Sequence, residues 1–252
     1  MKRFLWLLLI VPLGLFAQTI GRSPAFLGAA VPAAGGSGWS CTDADILCER
    51  FANGYDDAGW VESGEGGTST INESFADYPA GTCDSANVKC LKFTRNDGVA
   101  LVSSNSMTAA GTVYGLCWFK ITRASAATTA TSVMVHNGTS ANTRMSVGYT
   151  NAAGGDLCIV LSHYAQDSSI KVDYYTGITI GVWHKMEWMW IKNQSSEGIS
   201  FTLDGNAQTV SDTSTRDDTL KDIRFQVVDG LSVTLSVDNI KLSSSAAPIC
   251  AP

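Results

Sequence analysis

The segment "EGISFTLDGN" constrains this chain more than any other. Ile199, Phe201 and Leu203 fall on one face of an extended strand, and Ser200, Thr202 and Asp204 fall on the other. The run stops at Asp204-Gly205, a pair that takes positive φ at low cost and so predicts a tight hairpin turn. The pattern recurs. In "KDIRFQVVDG", Ile223, Phe225 and Val227 share a face ahead of Asp229-Gly230, and "LSVTLSVDNIKL" continues with Leu231, Val233, Leu235 and Val237. Similar runs at 46–51, 88–95, 99–104, 111–122, 131–136, 143–150, 156–164 and 169–175 are broken by Gly, Asn and Asp. Together they predict roughly a dozen strands and no helix. The expected fold is all-β, with two packed antiparallel sheets.

"GVWHKMEWMWIKN", residues 181–193, can be phased in the same way. His184, Met186, Trp188 and Trp190 form a bulky, nearly uncharged face, as a strand between sheets requires. Trp183, Lys185, Glu187, Met189 and Ile191 form the other, where charge mixes with aromatic surface. His184 and Glu187 therefore point to opposite sides and do not make an acid–base pair.

The first residues read as an address. Lys2 and Arg3 precede an apolar run from Phe4 to Ala17 that is too short to span a bilayer. That is the layout of a secretory signal peptide at 1–17, cleaved near Ala17 despite the large Leu15; an uncleaved N-terminal anchor is the alternative. The mature chain is then expected to be secreted, with no membrane span. A Gly/Ala-rich linker fills 18–44, one domain 45–245, and a short tail 246–252. The chain has 17 basic and 23 acidic residues, and without Lys2 and Arg3 the balance is 15 to 23, a net of −8. No basic run remains, which argues against a nucleic-acid partner.

Seven cysteines in an exported chain permit disulfides. Cys41 and Cys48 are spaced C-x6-C, and Cys83 and Cys90 repeat the spacing. Zinc prefers closer spacings and a nearby His, so two local disulfides are expected. The odd count leaves at least one thiol free or shared between chains. Cys250 is positioned either to staple the tail or to cross-link an oligomer.

The order of "ILCERFANGYDDAGW", "VWHKMEWMWI", "GISFTLDG" and "LSVDNIKL" resembles the concanavalin A-like lectin/glucanase jelly rolls, including laminin-G-like modules. The likeness covers about residues 45–245 and includes Glu49, Phe51 and Trp60. It implies two curved sheets, a concave face used for glycans, and a structural calcium near the meeting termini. Two features of the residues bear on that calcium. Glu49 shares a face with Leu47 and Phe51, where a carboxylate is costly unless paired or coordinated. The apolar phase slips between Val237 and Ile240, predicting a bulge at Asp238-Asn239. The resemblance makes the first and last strands neighbours, so Glu49 and Asp238 are the candidate Ca2+ ligands. The alternative is a surface Glu and an Asp capping a turn.

The glucanase branch carries Glu-x-Asp-x-x-Glu, which sets two carboxyls on one face of a strand. This sequence lacks it. His163 and Tyr164 are adjacent and so on opposite faces, and no Arg lies near them in sequence. These absences lean away from an enzyme. The leading expectation is a non-catalytic glycan- or polysaccharide-binding module with Trp183, Lys185, Glu187 and Tyr175 as ligand residues. The alternatives are a structural or adhesion part of a cell surface or virion, and a glycan-cleaving enzyme assembled only in space. Trp118 is expected in the core, and His136 as a polar strand-end residue. Asn72, Asn137 and Asn193 stand in glycosylation sequons.

Overall fold

The computed structural model describes residues 41–49, 51, 59–64, 90–95, 101–123, 131–139, 142–151, 157–227 and 233–248. The expectations for the leader, for the linker up to residue 40, and for Asn72, Cys83, Asp229-Gly230 and Cys250 lie outside these residues.

The alternating runs become strands β1 (Leu47–Glu49), β2 (Trp60–Gly64), β3 (Leu91–Arg95), β4 (Leu101–Ala110), β5 (Thr112–Arg123), β6 (Thr131–Gly138) and β7 (Thr143–Asn151). They continue as β8 (Leu157–Tyr164), β9 (Ile170–Thr176), β10 (Trp183–Ile191), β11 (Ile199–Leu203), β12 (Asn206–Ala207), β13 (Leu220–Val227) and β14 (Val233–Ser243). The described residues contain no helix. Strands β2 and β12 are additions to the sequence reading, and β4 runs on to Ala110, past the expected 99–104.

The first sheet runs β1-β14-β5-β10-β11-β12, with β3 also pairing β14, and the second runs β2-β4-β13-β6-β7-β8-β9. The fold is a two-sheet antiparallel jelly-roll sandwich. Its core is built by the predicted alternation. Met186, Trp188 and Trp190 of β10, Phe201 of β11 and Phe225 of β13 are all buried. Trp188 lies directly across from Gly115 in β5. A Cβ at Gly115 would stand 2.1 Å from the Trp188 ring, so only glycine admits the indole there. The ring nitrogen of Trp188 donates to His136 Nε2 at 3.2 Å, joining the two sheets through the core.

Three local predictions can be compared with the backbone. Asp204 and Gly205 have φ of 51° and 77°, the positive pair that a tight hairpin between β11 and β12 needs. Register on β14 shifts between Asp238 and Lys241, with Asn239 at φ 50°, which is the bulge that the phase slip implied. Leu235 and Val237 before it, and Ile240 and Leu242 after it, all face the core. Beyond the bulge, β1 pairs with β14, placing Glu49 opposite Ile240.

The disulfide expectation needs one correction. Cys41 and Cys48 are bonded. Cys90 is instead a free, buried thiol, so the Cys83–Cys90 pairing is not formed. Burial, reinforced by the Asp238 carboxylate, pushes its pKa up to about 12, which keeps the thiol protonated and unreactive.

Candidate functional site

The charged, aromatic face of β10 is the outer face of the first sheet, as its alternation predicts. Its groups largely satisfy one another. Lys185 Nζ lies 3.0 Å from Glu187 Oε1, with the two side chains 25% and 23% exposed. Trp183 opposes Lys120 across the β5–β10 ladder, and Lys120 Nζ sits 5.1 Å from its ring centroid. Trp183 is 8% exposed, which leaves little ring surface for a sugar. Trp118, expected in the core, is half-buried on this same outer face, opposite Lys185 and Asp238.

Tyr175 does not join them. It belongs to the second sheet, and its ring stacks on Phe201 in the core with centroids 5.3 Å apart. Its hydroxyl donates to Thr209 O at 3.2 Å. The expectation that Tyr175 is a ligand residue is therefore corrected. The residues sharing its phase, Lys171 and Asp173, reach a flanking loop: Lys171 pairs with Asp212 at 3.2 Å, and Asp173 accepts from Ser211 N. The opposite face of β9 is the open one, with Ile170, Val172 and Tyr174 at 59%, 42% and 58% exposure.

This open stripe belongs to a larger surface, the outer face of the second sheet. Inward residues such as Ile223 and Phe225 are fully buried, so Asp222, Arg224 and Gln226 between them face outward. Register aligns these residues in rungs across the strands. One rung runs Ser104, Arg224, Val135, Ser146, Ser162, Val172. A neighbouring rung runs Ser106, Asp222, Asn137, and another runs Gly148, Val160, Tyr174.

The polar groups on this face are held by specific contacts. Ser106 Oγ donates to Asp222 Oδ1 at 3.0 Å. The Asn137 amide lies between two charged groups: one orientation sets its Nδ2 3.5 Å from Asp222 Oδ2, and the swapped one, which we adopt because it gives Arg224 an acceptor, takes N–H groups from Arg224 Nε at 3.3 Å and from Nη2. Ser146 and Ser162 hydroxyls are 2.7 Å apart. Arg144 stands over the Tyr164 ring, 5.4 Å from its centroid, and its Nε pairs with Asp218. Burial works against the charge on Asp218, yet hydrogen bonds from Thr139 and the Arg144 guanidinium hold its pKa below the ordinary value. Gly138 leaves room for this pair, since a Cβ there would come within 2.7 Å of Arg144. The second sheet therefore presents hydroxyls, a carboxylate and a guanidinium, held in place from beneath by the buried Asn137 amide and flanked by an apolar stripe ending in an open tyrosine. These residues come from β4, β6, β7, β8 and β13, so the array forms only when the strands pair. Asn137 is 2% exposed, so its sequon is closed to a glycan, whereas Asn193 is exposed.

The histidines sit in the interior. His136 is fully buried rather than a strand-end polar residue. Its Nδ1 is 2.9 Å from the Asp222 carbonyl, which it meets as a donor, leaving Nε2 to accept from Trp188. Burial lowers its pKa to about 4. His163 is buried too, and burial lowers its pKa as well. His184 Nδ1 lies 2.7 Å from Asp204 Oδ2 and pins the β11–β12 turn. His184 and Glu187 lie on opposite faces, as their spacing requires.

At the bulge, Glu49, Asp238 and Asn239 are all buried. Glu49 Oε1 accepts from Phe51 N at 2.8 Å, and Asp238 Oδ2 accepts from Asn239 Nδ2 at 3.1 Å. Asn239 Oδ1 is buried with no hydrogen-bond partner among the described residues. No three His, Cys, Asp or Glu side chains cluster among the described residues.

The sequence matches no model of a known protein family and no curated protein. The fold, in contrast, has solved counterparts. This chain is similar to the cellulose induced protein Cip1, with a TM-score of 0.58 and 13% identity over 81% of this chain and 100% of that one. A botulinum neurotoxin type C structure, whose cell entry is dependent upon interaction with two ganglioside molecules, gives 0.52 at 12% identity over 82% and 49%. A sialidase gives 0.52 at 10% identity over 81% of this chain and 19% of its own. At these identities the likeness establishes a shared fold.

Proposed function

We propose that this chain is an exported, non-catalytic carbohydrate-recognition module of the concanavalin A-like type that takes its glycan on the outer face of the second sheet. The observation carrying this reading is Tyr174, 58% exposed at the end of a face whose polar groups are already held in place. A sugar ring presents C–H groups to an aromatic face and hydroxyls to fixed polar partners, and this surface offers both. The ganglioside-dependent neurotoxin supports the reading by fold alone. The outer face of the first sheet, with Trp183, Lys185 and Glu187, is the competing surface, because Lys185 and Glu187 keep some accessibility.

A glycan array run on the wild-type chain is expected to show selective binding to one sugar class. Tyr174→Ala is expected to weaken that binding at least about tenfold, equivalent to about 1.4 kcal/mol. A blank array contradicts the module and leaves the structural or adhesion role, for which an oligomer without sugar affinity is the sign.

Calcium belongs to the same proposal. Glu49, Asp238 and Asn239 carry oxygen donors of the kind Ca2+ prefers, and the unsatisfied Asn239 Oδ1 fits an ion at the bulge. There the ion would tie the first strand to the last. A chelator is expected to lower the melting temperature of the wild type and to leave Asp238→Asn unchanged. Equal melts of the wild type with and without chelator rule the site out.

A further inference from the structure

We infer that Arg224 is the anion-recognising residue of the second-sheet face, and that the glycan carries a carboxylate at this position. The inference rests on the carbohydrate reading above and adds the chemical class of the ligand.

The charges on the face are not evenly compensated. Arg144 is paired with Asp218 and covered by Tyr164. Asp222 lies between two neighbours: Ser106 donates to Oδ1 from β4, and Oδ2 is 3.5 Å from the side-chain amide of Asn137 on β6. Arg224 is half-buried, and no carboxylate of the described residues lies within ion-pair distance of it. Its partner is the amide oxygen of Asn137, a residue that is itself 2% exposed and so rigidly placed. That oxygen takes one N–H from Nε and one from Nη2. A guanidinium has five N–H donors, so three remain, all near the Nη1 edge.

A half-buried cation oriented by a buried amide, and forming no ion pair among the described residues, has the chemistry of a carboxylate receptor. Two parallel N–H groups match the two oxygens of a carboxylate. Around it stand groups suited to sugar hydroxyls: Ser104 across the ladder on β4 and Gln226 two residues along β13. Asp222, two residues the other way, accepts hydroxyl donors and repels a second anion, which confines the acidic group to the Arg224 side.

The rung geometry adds a length requirement. Arg224 and Val172 lie on the same rung, separated by four strand steps through β6, β7 and β8. At about 4.8 Å per step, that is roughly 19 Å. A ligand touching both Arg224 and the apolar stripe of β9 is therefore an oligosaccharide lying across the strands, with its acidic sugar at the β13 end.

The test uses the full chain and matched pairs of oligosaccharides, each a uronic-acid- or sialic-acid-containing glycan and its carboxyl-reduced neutral twin. The wild type is expected to prefer the acidic member by about tenfold to a hundredfold, as one charge-assisted contact supplies. In Arg224→Gln that preference is expected to collapse to within about twofold. Arg224→Lys, which keeps charge but not the paired donors, is expected to recover part of it. Equal wild-type affinity for both members of each pair overturns the carboxylate inference while leaving the glycan reading intact. A preference that survives in Arg224→Gln, with an unchanged melting temperature, overturns the role of Arg224. Binding to neither member overturns both readings.

Discussion

Gly115→Ala is expected to destabilise the protein by about 3 kcal/mol or more, at the upper end of overpacking costs. The added Cβ would stand 2.1 Å from Trp188 Cε2 and Cζ2. Neither partner can move away cheaply. Trp188 is 2% exposed, opposes Gly115 in the β5–β10 ladder, and is fixed at its nitrogen by His136. In thermal unfolding the loss corresponds to a drop of roughly 6–12 °C. A second background isolates the cause. In Trp188→Leu, which is itself destabilised, the further effect of Gly115→Ala is expected to shrink to below about 1 kcal/mol, because the colliding ring is gone. Additive losses would mean that the cost of the alanine lies somewhere other than this contact.

The second large effect is a loss of stability in mild acid. Burial holds the His136 pKa at about 4 against 6.5 for a free imidazole. Between those values the unfolded chain binds a proton that the folded chain refuses. Stability is therefore fully present above pH 6.5 and falls as pH is lowered towards 4, by about 3 kcal/mol if the full difference applies. His163, also lowered by burial, acts in the same direction. Denaturant unfolding at several pH values is expected to show this slope in the wild type. His136→Gln, less stable at neutral pH because it gives up the Trp188 contact, is expected to show a shallower slope. An identical slope in both proteins would mean that His136 takes up its proton without unfolding.

Strands buried on one side were legible because each turn of phase has a large consequence. In β10, β11 and β13 the inward residues are mostly large and apolar, Trp188, Trp190, Phe201 and Phe225 among them, and a slip of one position would have put charge in the core. The same sensitivity exposed the Asp238 bulge, since Val237 and Ile240 cannot both face inward without an extra residue. Tyr175 of β9 falls in the core, against the expectation of a ligand residue, for the opposite reason. Strand β9 is an edge strand, and its inner face meets a polar loop near Lys171 and Asp173, so the rule that apolar residues point inward fails there. Tyr175 reaches the core and Tyr174 does not. The array around Arg224 was not legible. Arg224 and Asn137 meet only because β13 inserts between β4 and β6, a pairing that no local pattern specifies. The free thiol of Cys90 was hidden behind a repeated spacing that in one of two instances does not form a bond.

Whether the glycan lies on the second sheet is decided by a side-by-side titration of Tyr174→Ala and Trp183→Ala. Both proteins are to be checked for an unchanged fold and then titrated with the best ligand from the array. Tyr174→Ala is expected to lose at least about tenfold in affinity, some 1.4 kcal/mol, while Trp183→Ala stays within about twofold of the wild type. The reverse pattern, with Trp183 essential and Tyr174 dispensable, would move the site to the outer face of the first sheet.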